Sequence, residues 1–387
     1  MRSGQSARRV SKRQAVRRAL LVGGGLGVLV AVAIFALLGF LGRNSDPATD
    51  DTASSGTDSA AGTTGGAQAD RAWFDNPVLE ADAPDPHLVR HGDEVLVFTT
   101  NADGLHVPLH RTHDLRSWAE PVDALPDLPQ WVSPAETELW APAVLSLGER
   151  WLLAFAARHR DTGLFCIGLA SAAQPDESFV AQPEPTVCDT EIGLIDPFLV
   201  ADEDIPYLLW KRDGNCCSQP SEIVAARLDD DLAVGDPSVL IDRSLPWEQG
   251  STDTQATVEN PALVSTPQGW ILLYSGNGWE SADYAMGYAR CDTPMGPCTK
   301  TRRAPVLAGD SAARGPGGGS VLELGEGLWL LAYHAWGEEI GYDEGGRRTL
   351  RMDLMQMLGS NLVVTGPTVA PYRVELPGDL KAPTGTG

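Results

Sequence analysis

Asp85-Pro86-His87-Leu88-Val89 opens a pattern that recurs four more times along the chain. The later copies are Ala141-Pro142-Ala143-Val144-Leu145, Asp196-Pro197-Phe198-Leu199-Val200, Asn260-Pro261-Ala262-Leu263-Val264 and a weaker Gly319-Ser320-Val321-Leu322. After a short polar turn each is followed by an aromatic-rich apolar segment: Glu94 to Thr99, Arg150 to Ala156, Ile205 to Trp210, Gly269 to Ser275 and Gly327 to His334. Counted at Pro86, Pro142, Pro197, Pro261 and Ser320, the spacings are 56, 55, 64 and 59 residues. A period in that range, with several strands per unit, marks a β-propeller. Each unit makes a small antiparallel sheet that cannot bury both faces alone, and radial packing against its neighbours buries them. A β-sandwich, the other all-β solution, gives no reason for such a repeat. The expected fold is therefore all-β, a five-bladed β-propeller over residues 72–376, with equivalent repeat positions gathered at one mouth of the central channel. Three such positions carry carboxylates: Asp85, Asp196 and Glu259, the last displaced by one residue.

Outward from the repeats, the composition changes sharply. Residues 19–42 carry no charge and are mostly apolar, long enough to cross a bilayer as one helix. Seven Arg and Lys residues precede this run and only Arg43 follows it closely, which predicts a cytoplasmic basic tail (1–18) and export of everything beyond. A cleaved signal is the rival, with Arg17-Arg18-Ala19-Leu20-Leu21 a partial twin-arginine match; the small-x-small site Ala31-Val32-Ala33 sits inside the apolar run. Residues 43–71 are dominated by Ser, Thr, Gly, Ala and Asp, a composition expected of a flexible linker. Residues 377–387 read as a fraying tail. The expected location is thus the cell membrane, single-pass, with the propeller outside, or a secreted protein if the leader is removed.

Charge narrows the partners. The net charge is −23, yet residues 1–43 hold eight of the 29 Lys and Arg and no acid, which leaves 52 acids against 21 bases beyond them. Such a field repels nucleic acid and anionic lipid headgroups, and is easier to reconcile with a neutral ligand or a cation. Six cysteines in an exported domain suit disulfides. Cys291 and Cys298 bracket one short loop, and Cys166 and Cys188 suit a hairpin staple. Cys216 and Cys217 are adjacent, open between a vicinal bridge and free thiols. His106, His110 and His113 read as a solvated turn rather than a metal site.

Hydrolysis of a glycosidic bond commonly uses two carboxyl groups across a sugar-sized gap, one protonated as acid and one ionised as base. Asp-Pro alone is weak evidence, since it often merely ends a turn, as Asp236-Pro237 and Asp46-Pro47 show. What raises Asp85, Asp196 and Glu259 above that background is their shared phase. Read with their neighbours, the segments resemble family 43 of the glycoside hydrolases, five-bladed arabinanases, arabinofuranosidases and xylosidases. Asn76-Pro77-Val78-Leu79 with Ala83-Pro84-Asp85-Pro86-His87 resembles the family's opening, Leu194-Ile195-Asp196-Pro197 its central motif and Val258-Glu259-Asn260-Pro261 its acid motif. Trp140-Ala141-Pro142, Tyr274-Ser275-Gly276-Asn277 and Tyr333-His334-Ala335-Trp336 are similar to further signatures. The resemblance covers about residues 73–375.

The resemblance implies Asp85 as general base, Glu259 as general acid and Asp196 as the group that orients the acid and tunes its pKa. It also implies an arginine near the acid, with Arg347 the nearest match and Arg348 the next. Several family members hold a last-blade histidine beside a channel metal or water; here Gly318 stands in its place, which puts a calcium ion in doubt and leaves no cofactor expected. From the residues themselves, Trp140 is open between a wall for a sugar face and inter-blade packing, and His334 between the channel and the core. The expected activity is an inverting glycosidase on an oligo- or polysaccharide, with α-L-arabinofuranosyl linkages first and β-xylosyl second. The alternatives are a non-catalytic carbohydrate-binding propeller and a retaining transglycosylase on a related five-bladed fold.

Overall fold

A computed structural model describes residues 70–376 apart from 218, 253–255 and 326. The expected spanning helix at 19–42, its basic flank and most of the linker lie outside the described residues. Among the described residues no helix is long and apolar enough to cross a membrane.

The repeats fold into five antiparallel sheets arranged as the blades of a propeller. The proline-led segments form the innermost strands: His87–His91, Leu139–Leu147, Leu194–Asp202, Val258–Thr266 and Arg314–Gly325. The aromatic-rich segments form the second strands: Glu94–Phe98, Arg150–Arg158, Ile205–Arg212, Gly269–Gly276 and Leu328–Trp336. Their side chains alternate between the two faces of each sheet, so both faces meet neighbouring blades. Between the second and third blades Leu152, Leu208, Trp210 and Val224 share one buried cluster. Trp270 and Trp329 are likewise buried in inter-blade clusters. Each Leu-sized side chain so buried contributes roughly 1.5–3 kcal/mol.

The ring is closed by exchange between the chain ends. The fifth blade takes Leu79–Asp82 as its outer strand, paired with Arg348–Leu358. Asn76 fixes that junction: its Oδ1 accepts the Met352 N–H (2.8 Å) and its Nδ2 donates to the Met352 carbonyl (2.7 Å). Asp70–Phe74 and Tyr372–Leu376 pair as a separate two-stranded sheet.

The period visible in the sequence has a backbone cause. Asp85, Ala141, Asp196, Asn260 and Gly318 adopt left-handed conformations, with φ of 52°, 46°, 55°, 47° and 59°. In blades two to five the inner-strand register shifts across this residue, the signature of a β-bulge. A left-handed alanine costs about 1–2 kcal/mol, whereas Asp and Asn tolerate the region better and glycine best. The bulge re-aims one side chain per blade towards the channel mouth.

Disulfides join Cys166 to Cys188 and Cys291 to Cys298, the latter pair directly opposite each other in adjacent strands. Cys217 is disulfide-bonded, and the Cys216 side chain lies outside the described residues. The histidine cluster is not a uniform solvated turn. His110 is buried within Pro108–Thr112, and burial lowers its pKa to about 4, while His113 is exposed.

Candidate active site

Two concentric rings of residues follow from the bulge. The left-handed ring is Asp85, Ala141, Asp196, Asn260 and Gly318. The residues just before them are Pro84, Trp140, Ile195, Glu259 and Gly317. Glu259 therefore shares its phase with Trp140, and Asn260 is the true counterpart of Asp85 and Asp196. Both rings contribute to one cavity of about 390 Å³, lined by Asp85, Trp140, Asp196, Lys211, Glu259 and Arg348 among others. That volume lies within the range of small-ligand sites.

Asp85 is held from every side. Thr100 Oγ1 donates to its Oδ2 (2.7 Å) while accepting the Ala141 N–H of the next blade (2.8 Å). Asn260 Nδ2 donates to its Oδ1 (3.1 Å), and the Asp85 N–H donates to His334 Nδ1 (3.1 Å). Arg348 Nη1 stands 3.8 Å from Oδ2. Donors thus converge on both carboxyl oxygens.

On the opposite side, Glu259 Oε2 accepts from Lys211 Nζ at 2.8 Å, and Lys211 also pairs with Asp213 at 2.8 Å. Burial works against the Lys211 ammonium, yet the charges of Glu259, Asp213 and Asp196 together outweigh it and hold its pKa above the ordinary value. Glu259 Oε1 lies 2.8 Å from the Tyr284 hydroxyl. Asp196 accepts the Asn260 N–H at Oδ2 (3.0 Å). Burial first, and the nearby Glu259 charge second, push the Asp196 carboxyl well above the usual range. The pair thus retains a proton where isolated carboxyls would have lost it.

Two of the candidate site residues do not line the cavity. His334 is fully buried, its ring stacked on Tyr284 (centroids 5.9 Å apart, planes 7° apart) beneath the Asp85 main chain. It supports Asp85 rather than lining the cavity. Burial, with Arg348 nearby, lowers its pKa to about 3 and keeps the imidazole neutral. Arg347 is exposed; strand alternation brings Arg348 inward instead. Trp140 does line the cavity, backed by Phe165 with ring centroids 4.2 Å apart.

Sequence reasoning named Arg348 only as a second choice and missed the wall around it. The Arg348 guanidinium lies 4.7 Å over the Trp279 ring, and its Nε donates to the Tyr342 hydroxyl (3.0 Å). Tyr342 in turn donates to Asp82 (3.0 Å), and Asp82 also accepts the Arg348 N–H (2.8 Å). Trp279 is carried on the loop after Asn277-Gly278, where no strand periodicity marks it. Lys211, one of four lysines in the chain, was equally silent because it sits within an apolar strand.

The channel floor does not suit a calcium ion. Its cavity of about 30 Å³, room for roughly one water, is lined by the four prolines Pro86, Pro142, Pro197 and Pro261 and also by Asp85, Asp196 and Asn260. His87 bonds the Val144 carbonyl of the next blade through Nε2 (2.9 Å). Both Asp85 oxygens accept from Thr100 and Asn260, and Asp196 Oδ2 accepts the Asn260 N–H. Calcium requires six to eight oxygens, and no cluster of three metal-ligating side chains occurs among the described residues.

Comparison with known proteins agrees with this geometry. The signature of glycosyl hydrolases family 43 matches residues 74–358. Xylosidase/arabinosidase 43B of Humicola insolens is 24% identical over 274 residues, covering 67% of this chain and 48% of that protein. A putative beta-xylosidase of Escherichia coli K12 is also 24% identical, over 276 residues, with the same coverage. The chain thus spans about half the length of the curated relatives it matches. Among solved structures, a thermostable family-43 glycoside hydrolase superposes with a TM-score of 0.69 at 27% identity, over 78% of this chain and 99% of that one. The chain belongs to glycosyl hydrolases family 43.

Proposed function

We propose that this protein is a glycoside hydrolase acting on the pentosyl linkages of arabinan- or xylan-type saccharides, α-L-arabinofuranosyl first and β-xylosyl second. The observation that carries the reading is the convergence of Asp85, Asp196 and Glu259 on one aromatic-walled cavity. Their surroundings set them apart: Asp85 is surrounded by donors, whereas Asp196 and Glu259 form a buried pair that retains a proton. Family membership and relatives named xylosidase or arabinosidase support the same class.

The mechanism we infer is inverting. Asp85 takes a proton from water on one face of the sugar while Glu259 protonates the leaving oxygen on the other. Burial and the repulsion between Asp196 and Glu259 hold one proton on that pair, and Lys211 fixes the orientation of the Glu259 carboxyl. Trp140 offers an apolar face to the sugar, and Trp279 borders the same cavity with Arg348 over its ring. Asn260 and Tyr284 bridge the two carboxyls through hydrogen bonds; an inverting pair is expected about 6.5–9.5 Å apart.

The test is incubation of the purified protein with nitrophenyl arabinofuranoside, nitrophenyl xyloside and linear arabinan, following the product anomer by NMR. Arabinose released with inverted configuration is the expected outcome. Retained configuration would replace this mechanism with the retaining one, whose carboxyls lie about 5–5.5 Å apart. Binding without release from any of the three would make the propeller a carbohydrate-binding module.

Replacing Asp196 by Asn is expected to move the alkaline limb of the pH–activity profile to lower pH. The Asp196–Glu259 pair loses its shared proton late because the second charge is unfavourable. Once Asp196 is neutral, Glu259 faces only Lys211 and gives up its proton earlier. An unmoved alkaline limb would remove Asp196 from that role. Activity is also expected to survive exhaustive chelation; loss restored by calcium alone would show a cation site assembled from other groups.

Anchorage at the membrane through residues 19–42, with the domain outside the cell, remains part of the proposal and rests on the basic flank and the apolar run. Protease added to intact cells should remove the domain and leave the N-terminus protected.

A further inference from the structure

Asn260 occupies a position where a side chain is costly, since φ is 47° and glycine meets that conformation without strain. Its amide nevertheless joins both halves of the site. Nδ2 lies 3.1 Å from Asp85 Oδ1 and Oδ1 lies 2.9 Å from the Tyr284 hydroxyl, which lies 2.8 Å from Glu259 Oε1. The orientation of the amide is chemically forced, because an ionised Asp85 only accepts and must face the NH₂ group. Asn260 Oδ1 is then an acceptor aimed at Tyr284.

Tyr284 has one proton to give. Were Glu259 ionised, the hydroxyl would donate to it, and Asn260 Oδ1 would face a second acceptor without a hydrogen between them. With Glu259 protonated on Oε1, its O–H donates to the Tyr284 oxygen, the Tyr284 O–H donates to Asn260 Oδ1, and Asn260 Nδ2 donates to Asp85. Every hydrogen then has an acceptor, and the chain runs in one direction from acid to base. Burial keeps the Tyr284 hydroxyl protonated. We propose that Asn260 and Tyr284 are positioning residues that form a directional relay, which keeps Glu259 protonated and Asp85 ionised before the substrate arrives.

The relay deepens the glycosidase reading and rests on it for its purpose, though not for its measurement. Other groups face the same carboxyls and bias them independently. Around Glu259 these are Lys211, backed by Asp213, and Asp196; around Asp85 they are Thr100, His334 and Arg348. Ser275 also reaches Tyr284, and its Oγ accepts the Gly318 N–H (2.9 Å). On binding, the leaving oxygen replaces the Tyr284 oxygen as acceptor of the Glu259 proton, while Tyr284 remains bonded to Asn260.

The sign of one shift separates this relay from an ordinary tyrosine–carboxylate bond. A hydroxyl that merely donates to ionised Glu259 lowers the acid's pKa, so its removal raises it. A hydroxyl that accepts from protonated Glu259 does the reverse. Carboxyl ¹³C NMR titration of the full chain without substrate reads this directly, with signals assigned through Glu259→Gln and Asp85→Asn. In Tyr284→Phe the Glu259 midpoint is expected to fall by about half to one pH unit, the scale of one net hydrogen bond. Asn260→Gly keeps a residue suited to the left-handed backbone; there the Asp85 midpoint is expected to rise by a similar amount and that of Glu259 to fall. The double variant should lower the Glu259 midpoint no further than Tyr284→Phe alone. A Glu259 midpoint that rises or stays fixed in Tyr284→Phe overturns the relay, as does an Asp85 midpoint unmoved in Asn260→Gly. Because no turnover is measured, a protein that cleaves none of the pentosides would refute the proposed function and leave this result standing.

Discussion

Glu259→Gln is expected to reduce kcat on a saccharide with an unactivated leaving group by about 10²–10⁴-fold, the usual worth of general acid–base assistance. Asp85→Asn should cost at least as much, because the attacking water then has no base. The two losses should differ in character. A nitrophenolate leaves without much help from a proton, so Glu259→Gln should recover a large part of its rate on nitrophenyl substrates while Asp85→Asn should not. Folding should survive both changes. Asp85 is anchored by donors that an Asn side chain can partly satisfy. Glu259 is buried against Lys211, and stranding that ammonium would cost about 3–5 kcal/mol if it had no other partner. Asp213, 2.8 Å from the same nitrogen, is that partner. A melting shift of only a few degrees is therefore expected beside the kinetic loss. Activity within a factor of about three of wild type in either variant would remove that residue from the mechanism.

The sequence exposed the fold because the propeller writes its period into the chain. Near the start of each inner strand stands a left-handed residue, followed by proline in four of five blades, and each second strand buries an apolar run between blades. Position in the repeat carried Asp85 and Asp196 to the channel mouth. It also made Glu259 look misplaced, until the bulge showed that Glu259 belongs to the ring of Trp140 and that Asn260 completes the ring of carboxylates. Contacts that depend on which face of a strand a side chain takes were less legible. Arg347 and Arg348 differ by one residue, and the strand boundary at Arg348 decides which of them turns inward. His334 is open between the channel and the core in the sequence, and its ring stacks on Tyr284 in the interior. Trp279 and Lys211 could not be found from periodicity. One rides on a loop, and the other is a charge hidden inside an apolar strand whose partners, Asp213 and Glu259, come from different parts of the chain.

Restoring a side chain at position 318 is expected to be as harmful as removing a working group. Gly318 has φ of 59°, so any other residue there begins with about 1–2 kcal/mol of backbone strain. The larger difficulty is steric. A Cβ at this position would lie 2.5 Å from Asp85 Oδ1, 2.6 Å from His334 Cε1 and 2.7 Å from His334 Nδ1. Neither neighbour has freedom to withdraw. The His334 ring is buried against Tyr284, and Asp85 is held by Thr100, Asn260 and its own N–H bond to His334. Even Gly318→Ala must therefore displace the base or the histidine beneath it. A displacement near 1 Å at a reacting group costs on the order of 10²-fold. Gly318→Ala should thus lower kcat by about 100-fold with a modest loss of thermal stability, and Gly318→His should do no better. The second variant matters because a histidine at this place would, in isolation, seem to repair a channel site. In this chain His334 and Asn260 already fill and bridge the same space, so the glycine, the buried histidine and the left-handed asparagine form one interdependent arrangement. Wild-type kcat in Gly318→Ala would show that Asp85 has slack that its four contacts do not suggest, and would detach the glycine from the placement of the base.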